Sequence, residues 1–495
     1  MPVSNFHKNA QKIFYPAFDG GLNLSVPPES LSKNELKEAV NVEFSASTGA
    51  MTVRGGLVWS GSFDSNIDCV LAVPGRRSFL VRRKGKKTLQ YFRWNYTWPV
   101  NGSLTGTGDL SIVQWGDDYL IASGGKLQKF IDDGLPRLET ISGSPKKCSQ
   151  VFVRNGRVGV VEEDDTLRFS GVGDCEAWTN DASDASSSQF VQVGYKDGMN
   201  INAVIPLSRD LIIFKSPENE PDKGTIFRLT GGYPDWTVLE IAHNTGTFSH
   251  KSVQAVGNDV YYITVSGLAS LSAVTSYGDI QARWPDRKVS PALTPLIDNT
   301  AELWNVPVKQ QLWLLPSKDA KEIWIFDYTH GIWTKFQFPS ALIHAAGVDN
   351  SLYVFLGKNL YRVENGYPVD ELMNSKGTLV KNEIKANMRM GTLIVGHQIL
   401  VKAAFASFAL LPGCEAELWL GKFCMKFTGG VPDYIYDAPN NTQKASEDDD
   451  PLFPSGGTMT ARRRCVVRDW SITPEVKITG GCCALSTMGL EIAEV

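Results

Sequence analysis

The densest ionisable side chains in this 495-residue chain fall in three groups. Two are carboxylate runs, Glu162-Glu163-Asp164-Asp165 and Glu447-Asp448-Asp449-Asp450. The third is basic: Arg76, Arg77, Arg82, Arg83, Lys84, Lys86 and Lys87. General acid–base work needs two carboxylates enclosed in a cleft, and glycoside hydrolysis needs them on either side of a sugar. The first run lies between the apolar segments VGVV and TLRF, so it reads as a solvated hairpin turn. The second lacks the glycine and terminal glutamate of an EF-hand loop, which leaves only loose calcium binding open to it. The basic group wraps the hairpin SFLVRRKGKKTLQYF, with Gly85 at its turn. There Arg82, Arg83, Lys84, Lys86 and Lys87 either touch phosphate or an acidic partner, or form a solvent-facing tip.

Other catalytic templates are missing. No H-E-x-x-H, G-x-S-x-G or Walker loop occurs. Gly85-Lys86-Lys87-Thr88 ends like a phosphate loop, but Leu80 stands where its first glycine belongs. His7, His243, His250, His330, His344 and His397 lack metal-ligand spacing. The eight cysteines form no C-x-x-C pair and read as buried, reduced thiols, as a reducing cytoplasm would leave them. The expectation is a protein with no catalytic residues, no cofactor and no metal. A net charge of −4 argues against a dedicated nucleic-acid coat, though not against brief DNA contact along a channel. The N-terminus has no signal-peptide pattern. The apolar window Leu393 to Cys414 is broken by His397, Gln398 and Lys402, so no stable membrane insertion is expected.

The elements that must position these residues are short strands. From about residue 65 to 366, apolar strands alternate with Gly, Asp or Asn turns, as in SQVFVRNGRVGVVEE (149–163) and IHAAGVDNSLYVFLGKNLYRVENG (343–366). The repeats centre near 73, 116, 155, 208, 258, 312 and 349, intervals on the order of the ~40–50 residues of a propeller blade. The chain therefore reads as mainly β. A β-propeller of roughly six or seven blades spans 61–369, with an N-terminal arm, short helix and hairpin over 1–60. A C-terminal β-sandwich with a long acidic loop spans 370–495. A pair of stacked β-sandwiches is the structural alternative. Trp178, Trp236 and Trp333 fall at blade ends, where aromatics cover seams, and DYTHGIW (327–333) has the look of an Asp-box turn.

The stretch GGLNLSVPPESLSKNELKEAVNV (20–42) carries the helix signals. Gly20 and Gly21 permit a turn, and Pro27 and Pro28 stiffen an arm. Ser32 and Glu35 form a capping box, and Leu31 and Leu36 close a hydrophobic staple. The implied helix, Glu35 to Asn41, is too short to persist alone and must dock. Leu31, Leu36 and Val40 are thus the expected subunit contacts.

In order along the chain, several phrases resemble the tail nozzle proteins of short-tailed bacteriophages, also called tail tubular protein B or packaged-DNA stabilisation proteins. They are Gly20-Gly21-Leu22-Asn23 with Arg54-Gly55-Gly56, then LRFSGVGDCEAWT (167–179), FVQVGYKDGMNINAVIPLSRDLIIFK (190–215) and GGYPDWTV (231–238). GTFSHKSVQAVGNDVYYITVSGLASL (246–271) leads on to Lys288-Val289-Ser290-Pro291. The resemblance implies a structural, non-enzymatic virion protein assembled in the host cytoplasm. It would form a homo-oligomeric ring, a hexamer, below the tail adaptor, beside fibre, spike or needle proteins. That ring would continue the DNA channel and retain or release the genome. The competing readings are a carbohydrate-binding or glycan-hydrolysing propeller, suggested by DYTHGIW and the tryptophans, and a host-encoded interaction platform.

Overall fold

The computed structural model describes every residue except 1–9, 94, 274–279, 319, 368, 411–413, 429–434, 438–440, 444–457, 481–482 and 495. Glu447-Asp448-Asp449-Asp450 and most of the expected acidic loop lie outside the described residues, as does His7. The fold is mainly β, a propeller arrangement together with a curled half-barrel sheet. The chain divides into two compact units. One holds residues 60–321 and 339–361; the other holds 1–59, 322–338 and 362–495. The N- and C-terminal parts, expected as separate domains, fall in one unit. Residues 322–338 belong to it as well.

The first unit is the propeller. Self-contained four-stranded sheets follow one another along the chain, all but the last ordered by sequence, beginning with Ile67–Ala72, Ser78–Arg83, Leu89–Arg93 and Tyr96–Pro99. Among the described residues six such sheets occur, the last formed by Leu342–Val348, Ser351–Leu356 and Asn359–Glu364 with Gly56–Ser62 as its fourth strand. The hairpin Glu302–Val306/Gln311–Leu315 repeats the first half of a blade. The seven repeat centres read from the sequence all fall at or beside the first hairpin turn of a repeat. All seven turns have a residue at left-handed φ, among them Gly75, Asn155, Ser208, Gln310 and Asn350. That conformation suits the right-handed twist of paired strands.

The seams joining the first five sheets in turn, and the last sheet to the first, are apolar. Trp178 packs with Leu120, Ala122, Val158 and Val160 from the second and third sheets. Trp236 lies 4.9 Å from Phe169, in the cluster joining the third and fourth. Both tryptophans thus cover seams, as expected. Trp333 belongs to the other unit, buried against Phe326. The ring closes where the last sheet meets the first: Phe79 touches Tyr353 at 5.3 Å and Phe355 at 5.0 Å. At the same place Phe63 N donates to Lys358 O at 2.8 Å, and Ser62 Oγ to Asn359 Oδ1 at 2.6 Å. Early residues therefore complete the final sheet, and no edge is left open between first and last blades.

In the second unit the expected helix is absent. Residues 35–36 and 38–40 are strands, and the only helical turn nearby is the 3-10 turn Pro28–Ser30. Gly21–Leu22 pairs in parallel with Glu35–Leu36, and Glu38–Val40 pairs antiparallel with Lys385–Arg389. The capping-box contact does form, with Ser32 N donating to Glu35 Oε2 at 3.2 Å, yet it closes a turn instead of starting a helix. The reason is energetic. A cap is worth about 1 kcal/mol, whereas the extended backbone pairs and buries Leu36, Ala39 and Val42 completely, the leucine and valine side chains each worth up to about 1.5–3 kcal/mol. Leu36 and Val40 are therefore core residues with no exposed side chain for a subunit contact; Leu31 is half-buried. The glycine turn stands: Gly21 has φ +61°, and a Cβ there would sit 2.6 Å from Ile332 Cγ2.

In place of the expected sandwich of 370–495, the C-terminal strands combine with N-terminal ones. Thr458–Ile472, Leu393–Leu410, Cys483–Glu494, Ala50–Val53 and Val42–Ser45 lie in one sheet, with Ala10–Tyr15 added on Cys483–Glu494. The window Leu393 to Cys414 is thus strand over Leu393–Leu410, and no helix among the described residues is long and apolar enough to cross a membrane. Phe408 of this sheet packs 4.7 Å from Phe427 of the sheet containing Pro474–Thr479.

Arg54 ties these parts together. Its guanidinium forms a two-pronged pair with Asp370 at 2.7 and 3.0 Å, donates to Asn41 Oδ1 at 3.1 Å, and lies 4.7 Å over the Phe338 ring. Both charged side chains are 3% exposed. Asn41 also accepts from Gln337 N and donates to Lys385 O, both at 2.8 Å. Replacing Asp370 by Ala strands a buried guanidinium and is expected to cost about 3–5 kcal/mol in urea unfolding. Leu36→Asp buries an unpaired carboxylate and should also unfold this unit, not merely impair association; an unchanged unfolding midpoint for either variant refutes the assignment.

Candidate functional site

The basic group is split between the two ends of the first sheet. Arg76 and Arg77 sit at the 73–77 turn, where Arg76 pairs with Asp132 at 3.0 Å and Arg77 lies over the Tyr353 ring. At the opposite end, Arg82 is held by Asp68 at 2.7 Å and Arg83 by Asp64 at 2.6 Å. Arg82 also donates to Gly108 O at 2.6 Å. These two arginines brace the sheet. Lys84, Lys86 and Lys87 are the exposed members, around Gly85 at φ +69°.

The carboxylate turn 162–165 is a hairpin, as expected. Glu162 pairs with Arg168 at 2.6 Å, and Asp165 accepts from Thr166 Oγ1 and Lys196 N. The 327–333 turn is likewise architectural: Asp327 Oδ1 accepts from Thr329 N and His330 N, and Gly331 N returns to Asp327 O. All seven described cysteines are free, six of them buried, and among the described residues no group of His, Cys, Asp and Glu is arranged to hold a metal ion. Arg462, Arg463 and Arg464 lie opposite Phe405, Ala404 and Ala403 in a strand ladder.

The most concentrated chemistry in the propeller unit involves residues that carry no sequence motif. Lys251, in the turn His250–Ser252 before the fifth sheet, bonds Asp109 Oδ1 at 2.8 Å, two residues ahead of the second sheet. It also reaches Glu302 Oε1 at 3.3 Å, at the start of the strand Glu302–Val306. Trp304 Nε1 donates to the other Glu302 oxygen at 3.2 Å. His344 stacks edge-on to Trp304 at 5.4 Å, and His250 contacts Leu110 O at 3.2 Å. Three loops distant in sequence are thus joined through one ammonium.

The titration of the group follows from this geometry. Burial raises the Asp109 carboxyl, but the adjoining Lys251 charge outweighs it and holds it below its ordinary value. Glu302 is more deeply enclosed, and burial prevails over Lys251, so its carboxyl is raised. Burial lowers Lys251, yet the neighbouring Cys69, Glu302 and Asp109 together raise it further, so it remains an ammonium ion and not a nucleophile. Burial and then the Lys251 charge depress His344 to about 3, which leaves its imidazole neutral. Both oxygens of Glu302 and two prongs of the ammonium are occupied, so the network is a brace rather than an acid–base pair.

The innermost strands are cross-linked by side chains as well. Gln150 makes paired bonds with the backbone of Val204 at 2.6 and 2.8 Å, and Gln254 Nε2 donates to Leu303 O at 2.9 Å. Between these strands lies a cavity of about 300 Å³ lined mainly by apolar side chains such as Ile112, Val113, Val151, Val204 and Val253. Pattern reasoning missed Asp109, Lys251 and Glu302 because their separations match no catalytic template. Their common signal is position: each stands at or just before the first strand of a repeat.

Comparison with known protein families and with curated protein sequences finds no match. Solved structures similar to the chain include PorZ, an essential surface component of the type-IX secretion system of Porphyromonas gingivalis, at 11% identity and TM-score 0.41. The match covers 81% of this chain and 60% of PorZ, so the chain spans less than two thirds of that relative. The β-propeller domain of Myceliophteria thermophila Cps50 (Swd1) matches at 11% identity and TM-score 0.42, covering 62% of this chain and 100% of that one. A chain from an S. cerevisiae complex containing Dbp5, Nup159 and Gle1 matches at 9% and 0.40, covering 66% and 98%.

The depressed His344 has a definite sign. Its folded pKa lies near 3 against an ordinary 6.5, so the unfolded chain binds the proton first as pH falls. Its contribution is fully present above about pH 6.5 and is lost toward pH 3, at about 1.4 kcal/mol per pH unit. His344→Phe should flatten the unfolding free energy over that window; an unchanged pH profile refutes the assignment.

Proposed function

We propose that this chain is a structural subunit of a short bacteriophage tail, the nozzle ring that continues the DNA channel below the adaptor and retains or releases the packaged genome. The reading begins from the ordered phrases between residues 18 and 300. The observation that carries it is that residues of those phrases serve the scaffold. Gly21 makes a close backbone approach, Arg54 clamps Asp370, Trp178 and Trp236 fill seams, and Lys251 braces the propeller mouth. Phrases spent on holding strands suit a part under mechanical load. The small apolar cavity inside the propeller is no conduit for a nucleic acid, so on this reading the DNA channel is the lumen between subunits of the ring.

A closed ring buries two different faces of each subunit. With Leu36 and Val40 in the core, the exposed apolar side chains of the unit built from both termini are the better candidates. Trp470 is 63% exposed, and Ile394, which faces Ser471 in the ladder, 59%. An exposed tryptophan in such a place is the residue type that dominates interface energetics. Trp470→Asp is expected to reduce ring formation at least about ten-fold, seen by native mass measurement and electron microscopy with the adaptor. Its unfolding midpoint should stay within about 0.5 kcal/mol of the parent, as for surface substitutions generally. A chain that remains monomeric in assembled particles defeats the proposal.

A further inference from the structure

We propose that the end of the propeller unit formed by three lysine-bearing turns is a sequence-independent binding surface for the phosphate backbone of duplex DNA. The turns carry Lys84, Lys86 and Lys87; Lys126; and Lys146 and Lys147. They are joined by direct bonds. Leu104 N donates to Lys87 O at 2.8 Å, Lys87 Nζ reaches Thr105 O at 3.5 Å, and Thr105 Oγ1 donates to Lys126 O at 2.7 Å. Lys126 Nζ bonds Ser142 O at 2.8 Å, and Cys148 N donates to Gly125 O at 2.8 Å. The six lysines therefore share one continuous surface, and all but Lys126 are exposed.

Charge is left over on this surface. None of the six lysines forms an ion pair among the described residues, and the carboxylates nearby are engaged: Asp68 by Arg82, Asp64 by Arg83, and Asp109 by Lys251. The surface ends at the next turn, where Glu162 is held by Arg168. A chain of net charge −4 has thus concentrated unpaired ammonium groups at one place. Binding them to phosphates would release counterions, the usual driving force for DNA association.

The residue types favour DNA over an acidic protein. The exposed side chains of these turns are Lys, Ser, Thr, Asn and Asp with glycines between, and none is apolar or aromatic. A protein partner would require a desolvated apolar or aromatic anchor at the centre of the contact. Lysines act as point charges without the bidentate geometry that reads bases, while the exposed hydroxyls of Ser103, Thr107 and Ser142 suit phosphate oxygens. The expected mode is backbone contact without sequence preference. It does not rest on the tail-subunit reading, since it needs only the single chain.

The test is fluorescence anisotropy of the full chain with a labelled duplex of about 30 base pairs, titrated between about 50 and 200 mM salt, the range in which phosphate contacts are resolved. Wild-type protein should bind two duplexes of unrelated sequence equally, with a steep salt dependence. The triple variant Lys84→Gln, Lys86→Gln, Lys87→Gln should lose at least about ten-fold in affinity at low salt. Its log–log salt slope should flatten by about 1 per phosphate contact removed. Lys146→Gln with Lys147→Gln should act in the same direction. Lys223→Gln, an exposed lysine paired with Glu220 on the fourth sheet, should change nothing. No wild-type binding at low salt, or lysine variants that bind as wild type, overturns the proposal. Displacement of DNA by polyglutamate of equal charge as readily as by unlabelled DNA also overturns it, assigning the surface to an acidic protein. A failed ring assay leaves all these outcomes intact, so the two readings fail separately.

Discussion

The buried pair between Arg54 and Asp370 is the interaction on which the unit built from both chain ends depends. The two residues lie 316 positions apart, on the segments by which the chain leaves that unit for the propeller and returns to it. A buried ion pair contributes little net free energy compared with an apolar replacement, because both charges are desolvated. Its value here is specificity: the fork of the guanidinium matches the carboxylate in one geometry only. Asn41 and Phe338 complete the enclosure, so an N-terminal strand, a C-terminal strand and residues 337–338 share a single polar centre. Gly55 follows because the clamp brings backbones close; a Cβ there would lie 2.7 Å from Glu364 O.

The propeller solves a different problem with different means. Its sheets are held to one another by apolar seams, where packing is non-directional, and its closure is directional, through Ser62 and Phe63 on the final sheet. Seam aromatics such as Phe79, Phe169 and Trp236 contribute area, while Gln150, Gln254 and Lys251 set the spacing of the inner strands. The Lys251 brace shows why a cluster of titratable groups is not by itself a catalytic site. Both Glu302 oxygens are engaged, by Lys251 and Trp304, and the neighbouring carboxylates reinforce the ionic state of the lysine.

The charged turns at the end of the first two sheets obey the opposite logic. Arginines near the strand ends are neutralised by aspartates, and the lysines beyond them are not. On these turns the arginines are spent on the fold, and the exposed lysines stand unpaired among the described residues.

Local sequence determined the strands, their turns and the periodic arrangement of blades. The alternation of apolar residues and the turn residues at 75, 116, 155, 208, 257 and 350 act within a few positions of chain, so they are legible without a fold. The seam roles of Trp178 and Trp236, the turn at 162–165 and the exposed hairpin tip at Lys84, Lys86 and Lys87 are local in the same sense. Tertiary structure alone decided what distant segments do together. The Ser32–Glu35 cap forms, yet residues 35–40 are strand, because ladder bonds to residues 385–389 outweigh a helix signal worth about 1 kcal/mol. The merging of both chain ends into one unit, the Arg54–Asp370 clamp and the meeting of Asp109, Lys251 and Glu302 depend on contacts across 50 to more than 300 residues. No spacing in the chain encodes such encounters; only the closed ring and the shared sheets bring them about.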